Sequence, residues 1–316
     1  MTGGDQNHGR AAGRTAEPVF DELPDAPPRR KLRLTRTGKI SVCVIAFWLA
    51  MALVGFLIAP YDEAEFIEED LQGNYYLDPS FLPPSEQTWL GTDYIGRDVL
   101  SRILWGARTT IGISLAATML AYMIGITLGI TAAVAGGWTD TILSRADEVV
   151  LSFPSIMLGL IVIAAFGSSI ALLIVLAGLI YTAPVYRIAR ALGQDIMVQD
   201  FVEAARARGE SRWWIVSREI LPSAMMPLAT DFGLRLIFVV LFISSLSFLG
   251  LGVQPPMADW GSMVRENLTG LGNGLAGGAI ASLAPAVAIG TLTIAINLVV
   301  DDLSVHEGGR LADKMV

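Results

Sequence analysis

The sequence predicts an all-α integral membrane protein with six transmembrane helices, and three observations predict it. Of the 316 residues, 53% are hydrophobic and only 16% charged, against roughly 25% charged in a soluble domain. Charge is absent from four runs, Thr109–Thr139, Val149–Tyr186, Leu236–Ala258 and Asn267–Val300. Each is long enough for the about 20 helical residues that cross ~30 Å of hydrocarbon. A fifth apolar run, Ile40–Ala59, follows a cluster of cations. This pattern excludes a disordered chain, a basic protein that binds nucleic acid and an ordinary cytosolic enzyme.

Residues 1–39 are polar and end in a basic collar of Arg29, Arg30, Lys31, Arg33, Arg36 and Lys39. A cleaved signal peptide has a shorter polar leader and a shorter apolar segment, so residues 40–59 are expected to be a retained first helix. Residues 60–108 form a strongly acidic loop in which Pro79, Pro83 and Pro84 oppose one long helix. The second span is expected from about Thr109 to Gly136, with Gly125 and Gly129 as a small-xxx-small pair. The run Val149–Tyr186 is too long for one crossing and is broken at Gly167-Ser168-Ser169. It predicts a hairpin of roughly 149–166 and 170–188, with Pro154 and Pro184 as kinks inside the spans. An amphipathic stretch, 189–222, precedes a fifth span at about 227–251 and a sixth at about 279–300. Between those two, the Gly-rich segment 252–278 reads as an ordered or re-entrant loop. Residues 109–305 are thus a five-helix core, and 306–316 a tail.

Six spans put both termini on one side of the membrane. Outside the fifth span's Arg235, only Arg97, Arg102, Arg108 and Arg265 of the 22 Lys and Arg fall in the loops that become external when the termini are cytoplasmic. The positive-inside rule therefore places both termini and the 189–222 stretch in the cytoplasm. The acidic 60–108 loop then faces outward, in a bacterial or archaeal plasma membrane.

Histidine and cysteine usage removes several chemistries. The two histidines, His8 and His306, lie in polar tails, and the one cysteine, Cys43, lies in the first span. No intrachain disulfide can form, and no imidazole is available in the spans for a metal, a haem or a Ser–His hydrolase. There is no phosphate-binding P-loop, and the glycines of 270–278 are not followed by a lysine. No metal or cofactor is expected on this chain.

The stretch 200–222, DFVEAARARGESRWWIVSREILP, alone reads as an amphipathic interfacial helix, with Trp213 and Trp214 suited to a membrane surface. Its Glu203-Ala204-Ala205, Gly209 and Ile220-Leu221-Pro222 resemble the EAA loop of permeases of binding-protein-dependent ABC importers. The wider likeness is to the C-type permease of the dipeptide/oligopeptide/nickel group. It is carried by Gly91-Thr92-Asp93, Gly96-Arg97-Asp98 and Gly106-Ala107-Arg108, by Ser152-Phe153-Pro154, and by Pro255-Pro256 with Trp260-Gly261. Where the group commonly has His before and Asn after Ile-Leu-Pro, this chain has Glu219 and Ser223.

The resemblance implies a transport subunit that forms half of a pathway and is not itself an enzyme. Partners would be a homologous B-type permease, cytoplasmic ATPases that bind ATP and Mg²⁺, an extracytoplasmic solute-binding protein, and membrane lipid. Cargo would be di- or oligopeptides, with nickel or another small solute as the alternative. The EAA segment would be a cytoplasmic coupling helix received in an ATPase groove, where Ala204, Ala205 and Gly209 permit close approach and Glu203 supplies a polar contact. By the same likeness a binding protein docks on the outer loops, although the acidic run 65–70 itself reads as solvated.

Asp231 and Arg235 stand i,i+4 near the start of the fifth span. Two readings are open: an ion or substrate path, or an interfacial salt bridge within two turns of the cytoplasmic surface, which their position favours. An ion-coupled carrier would require buried acids in matched halves. Only Asp231 is available.

Overall fold

The computed structural model describes residues 35–272, 274 and 276–312. Of the basic collar, Arg29, Arg30, Lys31 and Arg33 lie outside the described residues. Among the described residues, five helices are long and apolar enough to cross a membrane, and there are up to six spans if a bent helix pair counts as one.

Helix α1 (Arg36–Ile58) is capped by the Thr35 hydroxyl, which accepts the Gly38 N–H at 3.1 Å. It lies against the bundle through a narrow seam. Trp48 stacks edge-on against Trp260 at 4.8 Å and donates to Thr291, while Phe47, Leu53 and Leu57 stay exposed.

Helix α2 (Val99–Ala135) begins ten residues before the expected Thr109, with Asp98 as its N-cap and Ser101 N–H donating to it at 2.7 Å. Arg102 and Arg108, which read as loop cations, are inside this helix. One is buried in an ion cluster; the other lies over the Phe56 ring at 4.9 Å.

The third span differs most from expectation. Pro154 does not kink a span: it ends α3 (Gly137–Leu151) and caps α4 (Ser155–Phe166), and the two axes meet at 83°. Helix α4 rises only about 18 Å, short of ~30 Å of hydrocarbon. Helix α3 carries Asp140 and Asp147 and is pinned by them to Arg190 and Arg187 of α5.

Helix α5 (Ile170–Met197) holds Pro184 within it and continues past the expected residue 188. It forms the main seam of the bundle with α2. At Gly129 a Cβ would come within 2.7 Å of the Tyr186 carbonyl oxygen, and at Gly125 within 2.7 Å of Val185. These two glycines let the backbones meet, so the small-xxx-small pair is the contact itself.

Short helices α6 (Asp200–Ala207) and α7 (Arg212–Ile215) and a π-helical turn (Val216–Ile220) lead into α8 (Leu221–Phe248). Leu221 and Pro222 stand in the first turn of α8. Proline is tolerated in a first helical turn, the π turn absorbs the change of pitch, and the helical path runs unbroken over Arg212–Phe248. Pro227 likewise lies inside α8.

Pro255 and Pro256 occupy the turn before α9 (Trp260–Glu266) and α10 (Leu268–Gly272), and α11 (Ala276–Ala312) closes the bundle. Helix α9 is wedged inside. Trp260 is fully buried among α1, α2 and α11, its indole donates to the Ile103 carbonyl at 3.0 Å, and its ring lies where Gly106 leaves room. Gly261 packs on the Ser244 backbone. Asp259 caps α9 and accepts the Thr110 hydroxyl at 2.9 Å; burial pushes its carboxyl above the ordinary value. Replacing Trp260 with alanine is expected to cost about 3–5 kcal/mol, read as a lower melting temperature of the purified protein. An unchanged melt would mean that α9 is not part of the cooperative core.

Candidate functional site

Loops gather at two opposite ends. At one, Asp93 lies between the turns of Gly91 and Gly96, with Thr92 donating to the Pro79 carbonyl. The Asp93 carboxylate meets Arg97 at 2.8 Å and Arg102 at 2.7 Å, and both arginines also meet Glu266 of α9, at 3.1 and 3.2 Å. All four side chains are buried, two of each sign. Asp93, Arg97 and Asp98 are legible in sequence as motif positions. Glu266 was not recognised as a partner of Arg97 and Arg102, because 169 and 164 residues separate it from them and nothing local marks a pair.

At the other end α6 forms a corner. Val202 and Ala205 are wholly buried and pack with Ile130 of α2, Ile215 and Ile220. Glu203, Ala204 and Ala207 face outward. Ala205 therefore belongs to this chain's own core and is not a surface for another protein, a correction to the reading of all three small residues as approach positions.

Gly209 is small for a further reason. Its φ is +80°, and the Gly209 and Glu210 N–H groups donate to the carbonyls of Arg206 and Ala205, at 2.9 and 3.2 Å. That is the Schellman closure of a helix, which calls for a residue in the left-handed region. A Cβ here would touch nothing within 4 Å, so the constraint is backbone conformation rather than space.

Asp231 and Arg235 do form the expected ion pair, with Arg235 Nη2 3.1 Å from the carboxylate. Asp231 is buried, and Tyr122 of α2 donates its hydroxyl to it at 2.5 Å. Because α8 starts at Leu221 rather than near Pro227, Asp231 lies ten residues inside it, about 15 Å along the axis. Tyr122 was missed because a lone tyrosine in an apolar run carries no signal of its partner on another helix.

With these positions fixed, comparison with known proteins decides the family. Residues 125–306, more than half of the chain, match the model of the binding-protein-dependent transport system inner membrane component. The chain belongs to that family. It is 35% identical to the glutathione transport system permease protein GsiD of Pectobacterium atrosepticum over 223 residues, 70% of this chain and 69% of that protein. It is 33% identical to the GsiD protein of Shigella sonnei over 282 residues, 87% and 86% of the two chains. A solved structure of the MetNI methionine ABC transporter in inward-facing conformations has a similar fold, with a TM-score of 0.50 at 17% identity. It covers 64% of this chain and 96% of that one. The protein is thus a multi-pass inner-membrane permease of the ABC importer class.

Proposed function

We propose that this permease forms half of the translocation pathway of an ATP-driven, binding-protein-dependent importer of di- or oligopeptides. The observation that carries the cargo class is the likeness, over 87% of the chain, to a permease named for glutathione, itself a small acidic peptide. The other half would be a homologous B-type permease. ATP and Mg²⁺ would be bound by cytoplasmic ATPase subunits, and a solute-binding protein would deliver cargo at the acidic-loop end. The positive-inside pattern of Lys and Arg supports a cytoplasmic position for the α6 corner.

In this reading α6 is the coupling helix. Its outer face, Glu203 and Ala204, enters an ATPase groove. Its inner face, Val202 and Ala205, is cemented to α2, and after the short Gly209 turn the chain runs as one helical path from Arg212 into α8. Movement of the ATPases is therefore passed to α2 and α8 as a rigid-body displacement rather than lost in a loose loop.

Reconstitution with the partner subunits tests this. Uptake of glutathione or a dipeptide into proteoliposomes is expected to need both ATP and the ATPases. Gradient-driven uptake by this chain alone would overturn the proposal, and ATP-driven uptake of chelated nickel but no peptide would overturn the cargo class.

A further inference from the structure

Arg235 uses only half of its guanidinium inside the subunit. Nε and Nη2 form one edge of the fork and both engage Asp231, at 3.1–3.3 Å. The opposite edge, Nη1 with the second N–H of Nη2, has no acceptor among the described residues, and the side chain is 19% exposed. The Tyr122 hydroxyl holds the other side of the Asp231 carboxylate, so the acid is fixed and Arg235 is aimed outward by it. The guanidinium lies over the Phe238 ring at 5.8 Å, and Tyr181 of α5 donates to the Phe238 carbonyl beside it. Phe238, Leu241 and Phe248 leave one stripe of α8 uncovered, and Arg235 stands at its edge.

Hydrocarbon is a poor neighbour for such an edge. Arginine N–H groups within an apolar span face water-filled cavities or acceptors rather than acyl chains. We infer that Arg235 presents its second edge to the translocation path, where it takes the carboxylate of a passing peptide. This rests on the peptide-import reading above. Two parallel N–H groups match a carboxylate in bidentate geometry, and the α-carboxylate is common to every linear peptide whatever its side chains. Asp231 already neutralises the cation, so a second carboxylate is held weakly. Conduction requires that balance: binding strong enough to admit and weak enough to release.

The test uses the complete transporter in proteoliposomes, with trialanine and its C-terminal amide as probes, each at saturating binding protein. With uptake scaled to the amount of folded transporter, Arg235→Gln is expected to lower trialanine uptake about tenfold more than amide uptake, the loss of one charge-assisted contact. Arg235→Lys, which keeps the charge and loses the fork, should fall between. Equal loss of both peptides, or loss of neither, overturns the inference.

An independent readout is Phe238→Cys in a Cys43→Ala background, labelled with a membrane-impermeant methanethiosulfonate. Labelling that trialanine slows during ATP turnover supports a path-facing stripe, and no labelling overturns it. Should the wild type import neither peptide, the cargo reading fails, and this labelling still decides whether the stripe meets water.

Discussion

Gly209→Leu is expected to abolish coupled uptake while the protein still inserts and assembles. At φ +80° a residue with a Cβ costs roughly 1–2 kcal/mol, and leucine has no polar side chain to offset it. The Schellman closure at Arg206 and Ala205 would open, and α6 would no longer end where its outer face is aimed. Gly209→Asn, which tolerates the left-handed region, is expected to retain most uptake.

A second variant separates backbone from docking. Ala204 is exposed on α6 and is not a member of the buried cluster, so Ala204→Trp leaves this chain's core alone and fills only the space that the proposed coupling role assigns to a partner. Uptake should fall at least as far as in Gly209→Leu, with ATP hydrolysis no longer stimulated by loaded binding protein and the melting temperature of the isolated permease unchanged. Full uptake by Ala204→Trp would remove α6 from the coupling path.

How much of this was legible beforehand depended on whether the signal was local. Uncharged runs located the spans because excluding charge from hydrocarbon acts on every residue of a run. Boundaries were lost wherever a charge was satisfied by something far away. Arg102 reads as a loop residue until Asp93 and Glu266 are brought to it, so α2 was begun too late. The α3–α4 break was misread for the opposite reason. Hydropathy stays high from Val149 across Pro154 to Phe166, but Pro154 ends α3 there, and Asp140 and Asp147 hold α3 to α5 out of line with α4. At the α6 corner the motif positions were legible but one reason was not, since a glycine in a sequence does not say whether it is there for space or for φ. The Asp231–Arg235 pair was legible from its i,i+4 spacing; its Tyr122 partner and the helix start at Leu221, which the π turn conceals, were not.

Asp93→Ala is expected to be among the most destabilising single changes in the chain. Asp93 and Arg102 side chains are each only 1% exposed, and the cluster balances two carboxylates against two guanidinium groups. Removing one partner of a buried ion pair typically costs about 3–5 kcal/mol, because the remaining charge stays desolvated without compensation. Here two arginines would share Glu266 alone. The acidic loop's tie to α9 through Arg97 and Glu266 would be loosened, and with it the surface that the loop and the α9 segment build together through Tyr94–Asn267 and Glu63–Ala258. Melting of the purified permease and its yield in membranes would both fall. The decisive comparison is the double variant Asp93→Asn with Arg102→Met, which leaves Arg97 and Glu266 as a neutral pair and fills the vacated volume with an apolar side chain. Partial recovery of the melt relative to Asp93→Ala is expected, since a buried ion network can be replaced by packing more cheaply than it can be broken. If the double variant were as unstable as the single one, the four charges would be needed for their specific geometry rather than for their balance.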